Sequence, residues 1–145
     1  MTDLPNTKPP VWFWIIAVIA LIWNAMGVMQ YLAQAYMTDD FKSQYTAEQL
    51  EMINNTPAWA TAAFAIAVFA GLLGSLLLIL KRRFASTLFS LSLLGIVLQL
   101  YHNLIVIDTM EIIGPIAGIM SGIILIFGIL ILLFSKMASR KGWLR

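Results

Sequence analysis

The sequence contains no cysteine and only one histidine, His102, among its 145 residues. Without cysteine the chain has no disulfides, thiol nucleophiles or thiolate metal sites. One histidine does not supply two axial haem ligands within one chain, although a symmetric dimer would offer His102 twice. The chain also lacks a glycine-rich phosphate loop, a serine elbow and a His-Glu zinc pattern. We therefore expect a protein that is not an enzyme and that uses neither a metal nor another cofactor.

Charged residues are also scarce. They make up 11% of the chain, whereas 61% of it is hydrophobic, and the mean hydropathy is +0.88. Soluble domains are about 45–50% apolar and about 25% charged. This composition predicts a membrane protein whose main partner is the lipid bilayer. The net charge of +2 is better explained by membrane topology than by nucleic-acid binding, so we expect no nucleic acid as a partner.

Four apolar runs are each long enough to cross a hydrocarbon core of about 30 Å. They cover residues 11–34, 57–80, 84–106 and 115–136. The sequence thus predicts an all-α fold, with residues 1–145 forming one four-helix membrane bundle. A signal peptide is an alternative for the first run, because Ala33-Gln34-Ala35 resembles a cleavage site. We favour a span, since the run of about twenty apolar residues exceeds the usual seven to fifteen.

The start of the fourth span has two interpretations. Asp108 and Glu111 could cap a helix that begins near Thr109, in which case Pro115 would kink it. Alternatively, the helix begins at Pro115 and Glu111 lies in the preceding loop. We favour a break near Gly114.

The turn Lys81-Arg82-Arg83 between the second and third spans sets the predicted topology. Short loops rich in Lys and Arg stay in the cytoplasm. The N-terminal tail, this turn and the C-terminal tail hold every Lys and Arg except Lys42. Both termini are therefore predicted to be cytoplasmic. We expect the basic C-terminal tail, with Trp143, to lie at the surface.

The only substantial polar segment, residues 37–56, separates the first two spans. Thr46 and Gln49 have the spacing of a capping box, which predicts a short amphipathic surface helix from about Ala47 to Asn54. Thr56 and Pro57 then fit the N-cap and first turn of the second span.

Two helix faces become polar towards the same, non-cytoplasmic side of the membrane. Asn24 and Tyr31 lie on one face of the first span, and Gln99 and His102 lie on one face of the third. One interpretation is a polar pocket for an uncharged solute. The other is that these side chains form hydrogen bonds between helices that hold the bundle together.

Small residues on the second and fourth spans predict close helix packing, because lipid gives helices no hydrophobic reason to associate. The predicted packing residues are Ala67, Gly71 and Gly74 on the second span and Gly114, Gly118 and Gly122 on the fourth.

Several local motifs together resemble a family of small four-span bacterial inner-membrane proteins that are sometimes named sugar transporters. These motifs are Val11-Trp12-Phe13-Trp14, Trp23-Asn24-Ala25-Met26-Gly27, Tyr31-Leu32-Ala33-Gln34-Ala35, Pro57-Ala58-Trp59-Ala60 and Lys141-Gly142-Trp143. The resemblance implies a bacterial inner membrane as the location, and transport or binding of a small polar solute such as a sugar. Because four helices alone rarely enclose a solute path, transport would require assembly, such as a homo-oligomer, around the small-residue faces of spans two and four. The alternative is an accessory subunit that packs against another membrane protein, including a DoxX-like redox partner.

Overall fold

The computed structural model describes residues 8–106, 111 and 114–145. These described residues are 84% helical, which confirms the predicted all-α fold. Four helices among them are long and apolar enough to cross a membrane. The helices are α1 (Val11–Tyr36), α2 (Asp39–Ser43), α3 (Ala47–Asn54), α4 (Ala58–Ile79), α5 (Phe84–Tyr101) and α6 (Pro115–Arg140), and α5 continues as a π-helix over His102–Val106.

The four long helices pack as neighbours in chain order. α4 packs against both α1 and α5, and α5 packs against α6. A stacked contact between Trp23 and Phe127, with ring centroids 4.7 Å apart, joins α1 to α6. The start of α1, the turn at 81–83 and the end of α6 meet at one end of the bundle, which we call the basic end. The opposite end, with residues 37–57 and the π-helix, is the acidic end.

An aromatic cluster fills the core at the basic end. The ring of Trp143 lies 5.3 Å from that of Trp12 and 5.8 Å from that of Phe13, centroid to centroid. Trp143 is 8% exposed and Leu144 is 1% exposed. The prediction that Trp143 lies at the surface is therefore wrong. The tail folds back after α6, and its apolar residues complete the core while its charged residues stay exposed.

Three helices end in the same way, with a residue in the left-handed conformation. These residues are Met37 (φ 51°), Lys81 (φ 60°) and Gly142 (φ 80°). In each case the next residue donates its N–H to a carbonyl five residues earlier, as Arg82 does to Leu77 at 2.8 Å. This is the Schellman motif, in which glycine is usual at the left-handed position. It turns the chain sharply at both ends of the bundle.

The helix starts agree with the sequence in two of three places. The Thr46–Gln49 capping box is present, and α6 begins at Pro115, after Gly114 with φ 114°. The role predicted for Thr56 is wrong: α4 has Pro57 as its N-cap, without a side-chain hydrogen bond. Thr56 Oγ1 instead donates back to the carbonyl of Ile53 at 2.6 Å. Asp108, one of the two possible caps, and Thr109, where the alternative helix would begin, lie outside the described residues.

Candidate functional site

A cavity of about 160 Å³ opens at the acidic end of the bundle. Its walls come from the ends of α1, α4 and α5 and from the π-helix, and α3 covers it. The lining residues are Gln34, Tyr45, Met52, Ile53, Thr56, Ala60, Thr61, Phe64, Gln99, His102 and Asn103. None of these side chains is acidic or carries a fixed positive charge. The cavity thus offers amide, hydroxyl and imidazole groups together with a few apolar surfaces.

The π-helix places the histidine at this cavity. His102 is its first residue and is only 2% exposed. One imidazole nitrogen, Nδ1, lies 3.4 Å from Asn103 Oδ1. The indole of Trp59 stands edge-on to the imidazole, with centroids 5.4 Å apart. π-Helical turns are rare overall, but those that occur often lie at functional sites. The local backbone therefore makes this part of the third span a candidate functional site.

The cover of the cavity is held loosely. α3 contains no fully buried residue, yet Met52 and Ile53 on its inner side line the cavity. The side-chain hydrogen bonds that stabilise α3 are local to it: the capping box at its start and the Thr56–Ile53 hydrogen bond at its end. Elements with so few buried apolar contacts open at low free-energy cost. Displacement of α3 would therefore widen the access to the cavity.

The four residues predicted to form one polar cluster divide into three positions. Gln99 and His102 line the cavity together. Tyr31 is behind its wall, with its ring edge-on to Phe64 at 5.3 Å and to Phe69 at 5.6 Å. Asn24 is deeper in the bundle and is not among the cavity residues.

Asn24 takes part in a buried hydrogen-bond chain between α1 and α4. Its Nδ2 donates to Ser75 Oγ at 3.1 Å and to the carbonyl of Ala20 at 2.8 Å. Ser75 Oγ in turn donates to the carbonyl of Gly71 at 2.8 Å. This geometry is what hydrogen bonding between helices requires. The interpretation as a hydrogen bond between helices therefore describes Asn24, whereas Gln99 and His102 line the cavity.

The small residues predicted for packing on α4 lie at helix contacts. A Cβ at Gly71 would overlap the amide oxygen of Asn24, and one at Gly74 would lie 3.0 Å from Phe89. Ala67 meets Gly95 of α5, where a Cβ would lie 2.8 Å from the nitrogen of Ala67. These positions have room only for a hydrogen or a methyl group.

The glycines of α6 have different surroundings. A Cβ at Gly114 or at Gly122 would meet no other heavy atom within 4 Å, and Gly118 is only half-buried. Their face of α6 is therefore open within the described part of one chain.

The predicted topology residues occupy the basic end. Lys81 is the left-handed residue that ends the turn after α4, and Arg82 and Arg83 are exposed. The fold thus brings the tri-cation turn to the same end as the start of α1 and the C-terminal tail.

Sequence reasoning missed part of the cavity wall. Tyr45, Thr56, Thr61 and Asn103 line it but were not predicted as site residues. Thr61 lies four residues after Pro57 and one turn inside the second span, and a hydroxyl group among alanines there could have been recognised as a candidate site residue. Tyr45 comes from the loop before α3 and is far in the sequence from Gln99 and His102, so nothing in the sequence indicated that it lies beside them.

Among the described residues, no group of three or more His, Asp and Glu side chains could hold a metal ion. Comparison of the chain with protein-family models, with curated proteins and with solved structures gave no match. The resemblance to a four-span family therefore stays a prediction.

Proposed function

We propose that this small multi-pass membrane protein binds an uncharged polar solute, such as a sugar, in the cavity beside Gln99 and His102, and moves it across the bilayer as an oligomer. One observation carries the proposal. An apolar bundle would not keep about 160 Å³ of space surrounded by amides and hydroxyls unless the space held water or a polar ligand. The lining suits hydroxyl groups, which both donate and accept hydrogen bonds.

Among the lining residues that the structure describes, none is acidic or carries a fixed positive charge, and this supports an uncharged solute. A charged solute in a site of low dielectric needs an opposite charge, and the cavity residues offer none. The same reasoning argues against an ion pump, which normally carries an ionisable carboxylate or cation inside the membrane. From the distribution of Lys and Arg we propose that the cavity faces the non-cytoplasmic side of a bacterial inner membrane.

The test is solute entry into proteoliposomes, followed by light scattering after an osmotic step. Glycerol and glucose serve as uncharged probes, and glutamate serves as a charged one. We expect faster entry of at least one uncharged probe than in protein-free vesicles, and no effect on glutamate. Gln99→Leu should reduce the rate at least about fivefold, since it leaves a polar ligand group without its partner. The matched control is Gln30→Leu, which removes an exposed amide from α1 and should change nothing.

Binding without transport is measured separately through Trp59, whose ring contacts His102. A probe that enters the cavity should change the tryptophan fluorescence, and Trp59→Phe should abolish that change. Unchanged fluorescence and unchanged entry for every uncharged probe would refute the proposal.

A second candidate function, an accessory subunit, is favoured by the open glycine face of α6. Small residues allow close approach of another helix, and Gly122 has no neighbour within 4 Å of its Cβ position. On this hypothesis Gly122→Ile leaves the chain folded but removes a partner or a second copy from the complex. Native mass spectrometry of the protein extracted from its own membrane distinguishes a homo-oligomer from a complex with a different protein.

A further inference from the structure

Almost all of the positive charge lies at the basic end. Eight of the nine Lys and Arg residues are there, and Lys42 is the exception. Among the described residues the acidic side chains all belong to the opposite end. They are Asp39, Asp40, Glu48, Glu51 and Glu111. The cations of the basic end thus have no carboxylate side chain from the described part of the chain beside them.

The backbone joins the turn after α4 to the end of the chain. The N–H of Arg145 donates to the carbonyl of Lys81 at 2.7 Å, and the N–H of Arg83 donates to a main-chain oxygen of Arg145, also at 2.7 Å. This is the hydrogen-bond pattern of a single parallel bridge, and its paired residues are Arg82 and Arg145. Arg83 Nε also donates to the carbonyl of Leu144 at 3.3 Å, which holds the two segments together.

The bridge pairs the backbones of two exposed arginines. Neighbouring backbones in such a pairing are about 4.8 Å apart, and like charges in directly paired positions are destabilising. The buried Trp143 and Leu144 anchor the tail, so the two backbones do not separate without loss of core packing. An anion between them would remove the repulsion. Two neighbouring guanidinium groups match the oxygens of a phosphate, to which arginine donates paired hydrogen bonds.

The surroundings of the bridge identify the source of that phosphate. Leu80 and Phe84 flank the cationic turn in the sequence, and they are 64% and 59% exposed. Such exposed apolar side chains at the end of membrane-spanning helices face lipid. We propose that Arg82 and Arg145 bind the phosphate of an anionic phospholipid, whose acyl chains lie against Leu80 and Phe84. Clusters of cations at the end of a span commonly recognise anionic lipid headgroups.

The experiment is lipid retention by native mass spectrometry of the full chain in detergent, with phosphatidylglycerol and phosphatidylcholine added in equal amounts. We expect the wild type to retain one phosphatidylglycerol per chain in preference to phosphatidylcholine. R82Q/R145Q should weaken that retention about tenfold or more, because it removes the charge-assisted hydrogen bonds that both guanidinium groups donate to the phosphate. The matched control K136Q/R140Q removes two exposed cations of α6 at the same end and should weaken it by about twofold or less.

Two further arms keep the proposal falsifiable. R82K/R145K keeps the charges but loses the paired hydrogen bonds, so it should bind several-fold more weakly than the wild type, even if R82Q/R145Q does not fold. Excess sodium phosphate should fail to displace the lipid, because it cannot contact Leu80 and Phe84. Equal losses in R82Q/R145Q and K136Q/R140Q would mean diffuse attraction and would overturn the proposal. So would unchanged binding in R82K/R145K, displacement by phosphate, or no preference for the anionic lipid.

Discussion

Gly95→Ala tests the contact on which the bundle depends most directly. Gly95 lies on α5 opposite α4, and a Cβ there would lie 2.7 Å from the carbonyl oxygen of Ala63 and 2.8 Å from the nitrogen of Ala67. Both blocking atoms belong to the backbone, so no rotamer change relieves the overlap. The added methyl group therefore forces the two helices apart.

The size of the effect follows from that separation. Ordinary van der Waals contact begins at 3.4 Å, so α4 and α5 must separate by about 0.7 Å near Gly95. A gap of about 0.5–1 Å forfeits a quarter to a half of each dispersion contact across it. It also lengthens the hydrogen bond that Ser92 Oγ donates to the carbonyl of Ala67 across the same interface. Overpacking of this kind costs about 1–3 kcal/mol, and we expect the upper half of that range.

The assay is reversible unfolding in mixed micelles as the fraction of SDS rises, followed by circular dichroism. Gly122→Ala is the matched control: it adds the same methyl group to a membrane helix, at a position with no neighbour within 4 Å. Because alanine favours helix over glycine, that variant should be unchanged or more stable by about 0.5–1 kcal/mol. If Gly95→Ala unfolded at the same SDS fraction as the wild type, the close α4–α5 contact would be refuted.

Three further predictions use the same unfolding assay. Met37→Gly should stabilise the protein by up to about 1 kcal/mol, because it removes a left-handed conformation that is costly for methionine; a loss of stability would contradict this account of the α1 end. Trp143→Ala should cost about 3 kcal/mol, since it empties a buried site against Trp12, and a change below about 1 kcal/mol would mean that the tail is not part of the core. Asn24→Ala should cost only about 0.6 kcal/mol for its bond to Ser75, and the same variant should leave solute entry unchanged.

The spans and their order were predictable because each span is determined by its own residues and does not depend on contacts with distant parts of the chain. A run of apolar residues as long as Ala58–Ile79 crosses a bilayer whatever its neighbours are. The capping box at Thr46 and the start of α6 at Pro115 are likewise determined by residues within one turn. The role of Thr56 was less predictable, because its hydroxyl can either cap the next helix or bond to the end of the previous one. The sequence does not show which of these two roles is preferred.

The composition of the cavity was only partly predictable. Helical spacing places Gln99 and His102 on one face, and both line the cavity. The same spacing also selects Asn24, but spacing says nothing about the partner across the interface, which is Ser75. The position of Trp143 depends on how the tail turns after Gly142, and its burial depends on aromatic rings more than a hundred residues away.

The two ends of the bundle differ in a way that bears on transport. The acidic end is loosely covered by α3 and holds the polar cavity, whereas the basic end is filled by Phe13, Trp143 and their aromatic neighbours. Between them lies a second space of only about 20 Å³ beside Asn24, room for about one water molecule. In the described part of one chain, a solute that enters from the acidic end therefore meets a packed core. The proposed movement across the membrane thus requires either repacking of that core or a path along an interface between copies. The open face of α6 at Gly122 is a surface that such an interface can use. Gly122→Ile should accordingly abolish solute entry while leaving the Trp59 binding signal intact.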